Sequence, residues 1–140
     1  GIGPQALIDP MQYKTKDSYN TDFIAQALAL AAISDQDYAA DTWRKVREQR
    51  SSLRSALAAL QLVAPPSQSN FLLARVPTGD ARFVSTDIMA RECYQRLKDN
   101  GILVRYFDQP RLRDKLRITI GTHDENSRLL QQLESCLQLN

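Results

Sequence analysis

The sequence predicts an α/β (α+β) fold: a short, mainly antiparallel sheet with helices packed on it, preceded by a long helix. Three observations carry this. Up to about residue 62 the apolar residues recur at helical spacing. From residue 70 onward, short apolar runs alternate with turn signals and one more amphipathic stretch before a last helix. The chain has 140 residues, 43% of them hydrophobic and 24% charged, which suits one globular domain with a sizeable core.

The elements follow in order. Asn20-Thr21-Asp22 supplies a capping residue ahead of the Ala- and Leu-rich stretch Phe23 to Ile33. Ser34 is expected to cap a second helix from about Asp35 to Leu62, with Trp43, Val46, Leu53, Leu57 and Leu60 as its apolar seam. Arg44, Lys45, Arg47, Arg50 and Arg54, with Asp41 and Glu48, occupy the other face, and the helix reads as a strut. Pro65-Pro66 stops it. Asn70 to Val76 reads as a buried strand closed by Pro77-Thr78-Gly79-Asp80. A helix from about Thr86 to Asn100 turns Met89, Cys93 and Leu97 inward, and Gly101 suits its left-handed stop. Ile102 to Phe107 and Leu116 to Ile120 are two more strands. Their short link, Asp108 to Lys115, favours an antiparallel hairpin. Thr122-His123-Asp124-Glu125 has the form of a capping box and opens a last helix with Leu129, Leu130, Leu133 and Leu137 as its seam. The expected division is a helical lead-in over 1–62 and a small α/β domain over 63–140.

Composition excludes several functions. Lys plus Arg is 18 against 16 for Asp plus Glu, so the net charge of +2 gives no field for nucleic acid or membrane binding. The basic stretch Arg44 to Arg54 is broken by Glu48 and reads as a solvated helix face. No run approaches a membrane span. Cys93, Cys136 and His123 cannot build a zinc cluster, so no metal is expected. Both cysteines fall on apolar helical positions and read as reduced core residues of a cytoplasmic protein. The chain starts Gly1-Ile2-Gly3-Pro4 with neither a signal-peptide pattern nor an initiator Met, so a cut or processed piece is expected.

Two strands each contain an arginine, Arg105 and Arg117. A guanidinium is costly to bury unpaired. Either each lies on a solvent face or pairs with a carboxylate such as Asp108 or Asp114, or the two form a forked clamp for carboxylate or phosphate. Thr119 shares the face of Arg117. The sequence leaves the register of Arg105 open.

Four segments in order resemble the C-terminal part of histidinol-phosphate aminotransferases, pyridoxal-phosphate enzymes of fold type I. They are Lys16 to Asn20, Pro66 to Leu72, Gly101 to Phe107, and Leu116 to Thr122, followed by Asp124-Glu125-Asn126 at the start of the last helix. The resemblance implies the small C-terminal domain of such an enzyme. It implies amino transfer between histidinol phosphate and 2-oxoglutarate in histidine biosynthesis, in a cytoplasmic homo-oligomer with pyridoxal phosphate as cofactor. Arg117 would bind the α-carboxylate of glutamate or 2-oxoglutarate, Arg105 would contribute to the substrate phosphate site, and Asn70 would be structural. The lysine that carries the cofactor lies upstream in the family, and no lysine here matches its motif, so the isolated chain is expected to be inactive. Gln61 stands where the family usually has Gly at the helix end, which puts that turn in question. The alternative is a free-standing, non-catalytic anion-binding or oligomerisation module with the same fold.

Overall fold

The computed structural model describes residues 3–15, 21–77 and 86–138. The Lys16 to Asn20 segment and most of the Pro77 to Asp80 turn lie outside them. The chain divides into two compact units, 1–39 and 40–140. The first holds two helices, α1 (Gln5–Lys14) and α2 (Phe23–Ser34). Within the expected helical lead-in, the sequence pattern marks no separate helix over 5–14. Pro10 lies inside α1, removing one backbone donor, and none of its residues is buried. α2 starts at Asp22, whose carboxylate accepts the Ala25 N–H at 2.8 Å. Its apolar side chains are exposed.

Helix α3 (Gln36–Ala59) begins in the first unit and carries its length into the second. Its cap is Asp35, which accepts the Tyr38 N–H at 3.1 Å, in place of the expected Ser34. Asp35 can both end α2 and start α3, because its N–H bonds the Ala31 carbonyl while its side chain turns to α3. The seam reaches the core only from Leu53 onward: Leu53 and Leu57 are buried, whereas Trp43 is exposed. These residues and Leu62 pack with the sheet, and the compact unit that holds the sheet begins at residue 40.

Three strands form one antiparallel sheet in the order β1 (Phe71–Arg75), β3 (Lys115–Thr119), β2 (Arg105–Tyr106). The link between β2 and β3 makes the antiparallel pairing that its length favours. The expected strand over 102–107 shrinks to its middle, because Ile102 is taken up in the end of the preceding helix. Leu72, Ala74, Leu116 and Ile118 are buried on the inner sheet face. Helices α4 (Thr86–Asp99) and α5 (His123–Gln138) cover it with Met89, Cys93, Leu97, Leu129, Leu133 and Cys136. Burial pushes the Cys93 thiol up to about 12, and the Cys136 thiol up as well, so both are inert packing groups. Tyr94 stacks on Tyr106 with ring centroids 5.8 Å apart. The capping box forms as expected: the Glu125 carboxylate accepts the Thr122 N–H at 2.7 Å. That bond, with a second from the Thr122 hydroxyl, holds its carboxyl below the usual range.

Candidate anion-binding site

The outer face of the sheet carries the two strand arginines. Arg105 and Arg117 are directly opposed across β2 and β3, so both side chains leave the same face. Leu73 completes this row on β1, and Phe71 opposite Thr119 forms the next. Phe107 follows Arg105 by two residues. The register that the sequence left open is thereby fixed, and it brings Arg105, Arg117 and Thr119 together.

Each guanidinium rests on aromatic rings. Arg117 lies 5.3 Å from the Phe71 ring centroid and 5.7 Å from that of Phe107, and Arg105 lies 5.4 Å from Phe107. Both arginines are exposed. Among the described residues neither has a carboxylate in ion-pair range. Asp108 pairs instead with Arg113 at 2.8 Å, and Asp114 with Lys115. The neutralising partners considered from the sequence are therefore committed elsewhere. What remains is a pair of forked donors, stacked on Phe71 and Phe107, facing outward from a rigid sheet. Such forked donors suit a carboxylate or a phosphate group chemically, and neither guanidinium can act as a nucleophile or base.

The support of this face includes a residue that appears in the sequence only as part of a motif. Asn126 is 6% exposed, the only buried polar residue of the described core. Its amide oxygen accepts the Gly121 N–H and its amide nitrogen donates to the Gly121 carbonyl, each at 3.1 Å. The same nitrogen reaches Gln49 of α3 at 3.1 Å. This clasp fixes the turn two residues after Thr119. A Cβ added at Gly121 would meet the Glu125 carboxylate at 2.9 Å and its Cβ at 3.0 Å, so a side chain there would displace the capping-box glutamate. Asn70 has a matching role at the other strand: its carbonyl accepts the Ile120 N–H at 2.8 Å and extends the β1–β3 ladder.

The described lysines do not make a pyridoxal phosphate cradle. Lys45 is ion-paired with Asp41 at 2.7 Å on an exposed face, and Lys115 is bound to Asp114 and the Arg111 carbonyl. Lys14 and Lys98 are exposed. None combines burial with both a carboxylate for a pyridine nitrogen and a stacking ring. Among the described residues no group of metal-ligating side chains occurs, and no helix is long and apolar enough to cross a membrane.

The helix-backed antiparallel sheet matches the small domain of fold type I aminotransferases. The family model for aminotransferase class I and II matches residues 2–133, and the chain belongs to that family. It is 43% identical over 138 residues to a histidinol-phosphate aminotransferase of Nostoc sp., covering 99% of this chain and 36% of that protein. The corresponding enzyme of Microcystis aeruginosa is 40% identical over 140 residues, covering 37% of its length. The chain thus spans about a third of the length of these relatives. Among solved structures, the histidinol-phosphate aminotransferase of Sinorhizobium meliloti, in complex with pyridoxal-5'-phosphate, superposes with a TM-score of 0.77 at 24% identity. That match covers 93% of this chain and 34% of that one. The Clostridium acetobutylicum enzyme gives 0.75 at 16% identity, covering 91% and 36%. At these identities the two structures establish the fold.

Proposed function

We propose that this chain supplies the substrate-binding arginines of a histidinol-phosphate aminotransferase, which moves an amino group between histidinol phosphate and 2-oxoglutarate. In that enzyme residues 63–140 act as the small domain and 1–62 as its helical lead-in. The enzyme works as a homo-oligomer in the cytoplasm, a reducing compartment consistent with two buried, unpaired cysteines. The observation that carries the reading is the opposed pair Arg105 and Arg117 on one open sheet face, without a described carboxylate partner, in a chain of this family.

Both substrates are anions. Arg117, held between two rings, presents its fork to the α-carboxylate of glutamate or 2-oxoglutarate. Arg105, at the sheet edge, takes the phosphate of histidinol phosphate. The cofactor's chemistry belongs to other parts of the longer enzyme, since the family's cofactor lysine lies upstream and no lysine of this sequence matches its motif. The 140-residue chain alone is accordingly inactive in transamination and contributes recognition.

The division of labour is testable in the longer enzyme. Arg117→Lys keeps the charge and loses the bidentate fork. It should lower kcat/KM for glutamate and 2-oxoglutarate by about 10- to 150-fold, equivalent to roughly 1.5–3 kcal/mol, with a much smaller effect on histidinol phosphate. Arg105→Lys should show the reverse pattern. The two half-reactions are followed separately by cofactor absorbance. Equal losses on both substrates for both variants would refute the assignment.

A further inference from the structure

A second cationic site lies on the other side of β1 from any role given above. The C-terminal half of α3 and the segment 61–68 enclose a cleft of about 550 Å³ lined by Arg47, Arg50 and Arg54, with Ser51, Ser55 and Ser67 among its polar groups. No acidic residue lines it. Arg50 and Arg54 are four residues apart on one helix face and Arg47 and Arg50 three apart, spacings at which like charges destabilise a helix. Elsewhere on α3 the cations are neutralised: Arg44 pairs with Asp41 and Glu48, and Lys45 with Asp41. In the cleft two arginines are braced instead. Arg50 donates to the Ser69 carbonyl at 2.9 Å and Arg54 donates through Nε to the Ala64 carbonyl at 3.1 Å. Both forks keep further N–H groups for a ligand. Arg47 has no hydrogen bond or ion pair among the described residues.

The cleft also holds backbone strain. Gln61 has φ +65°, in the left-handed region, and its side chain is part of the lining. The equivalent position after α4 is Gly101, with φ +72°. Both positions close their helices with a left-handed residue, and at 61 that residue is a glutamine whose side chain joins the cleft lining. Leu62, Val63, Ala64 and Pro66 supply an apolar wall.

From these features we infer a binding site for a phosphate monoester with an apolar body. The phosphoryl group, with its double charge and several acceptor oxygens, matches the forked arginine donors better than a single carboxylate does, while the Ser55 and Ser67 hydroxyls already donate to the Ser51 and Phe71 carbonyls. The volume lies in the range of small-molecule sites, about 300–1,000 Å³, and exceeds what inorganic phosphate fills. The site is separate from the Arg105/Arg117 face and does not depend on the transaminase reading.

Phenyl phosphate, inorganic phosphate and benzoate serve as probes of the full 140-residue chain at low ionic strength, read by amide chemical shifts. Phenyl phosphate should move the amides of Ser55, Gln61 and Val63, and bind about tenfold more tightly than either other anion. Arg47→Glu, at a side chain without described partners, should leave the melting temperature the same or slightly higher, because it removes a like-charge neighbour of Arg50, and should weaken binding by about tenfold or more. Arg54→Gln gives a second, milder loss. The double variant Arg105→Gln/Arg117→Gln should keep this binding intact, which separates the cleft from the sheet face. The inference is overturned by equal affinity for benzoate or inorganic phosphate. It is also overturned by shifts confined to Leu73 and Thr119, or by Arg47→Glu binding as the parent does.

Discussion

Like charges at directly opposed positions of an antiparallel ladder repel, and Arg105 and Arg117 are so placed. Phe71 and Phe107 lower that cost by accepting the guanidinium faces. The sequence exposes both arginines as out of place in apolar runs, and the resemblance proposes ligands for them. What it withholds is the register, because an eight-residue link is compatible with more than one pairing offset. Asn126 was harder still to see. It reads as an ordinary polar residue in the first turn of a helix, and one of its three bonds goes to Gln49, 77 residues away. Asn126→Ala would leave the Gly121 N–H and carbonyl unpaired in a half-buried turn. It should cost about 1–3 kcal/mol in chemical denaturation. Asn126→Asp should recover the bond from the Gly121 N–H and lose the two amide donations. A loss of under half a kcal/mol for the alanine variant would show that water replaces the clasp.

At the level of elements, α3 and α4 end in the same motif. After α3, Leu62 N–H reaches the Leu57 carbonyl at 2.9 Å and Gln61 N–H the Ala58 carbonyl at 3.0 Å. After α4, Ile102 N–H reaches Leu97 at 2.8 Å and Gly101 N–H reaches Lys98 at 3.0 Å. In both, the residue after the turn packs against the core, so burial of Leu62 and Ile102 fixes the turn whatever occupies the left-handed position. The doubt that Gln61 raised about this turn is thus resolved: the geometry survives and glutamine carries the strain. Gln61→Gly removes a left-handed cost of roughly 1–2 kcal/mol and adds back about 0.5–1 kcal/mol of unfolded-chain entropy. A net gain of about 0.5–1 kcal/mol should appear in denaturant titration, while Gly101→Ala should lose at least as much. Strongly periodic elements such as α4 and α5 were legible to within a residue or two. α1 was not, since Pro10 argues against a helix and none of its residues is buried. The Trp43 end of the α3 seam was misleading for a related reason: periodicity reports which side is apolar, not how far along the helix a core extends.

Across the whole molecule, the two units differ in how they treat apolar surface. Residues 40–140 enclose a core of leucines, methionine and cysteines, whereas no residue of α1 or α2 is buried. α2 has no charged residue in its twelve, and it exposes Phe23, Ile24, Leu28, Leu30 and Ile33, with Phe23 83% accessible. These positions fall on more than one side of the helix, the pattern of a segment made to be surrounded. Burying one such side chain is worth about 1.5–3 kcal/mol, so covering three or four of them offsets a large part of the cost of association. The 140-residue chain should therefore self-associate at tens of micromolar in sedimentation and bind a hydrophobic dye. The variant Phe23→Ser/Leu28→Ser/Leu30→Ser removes much of that surface without touching the sheet or its core. It should sediment as a monomer with dye binding reduced, and its melting transition should be unchanged, since the stability of residues 40–140 resides in Leu53, Leu57, Leu72, Leu97 and Leu133. A parent chain that is monomeric and dye-negative would mean that α2 covers its own apolar side chains in solution. A variant that still associates would move the contact to another surface, with the exposed Trp43 as the next side chain to replace.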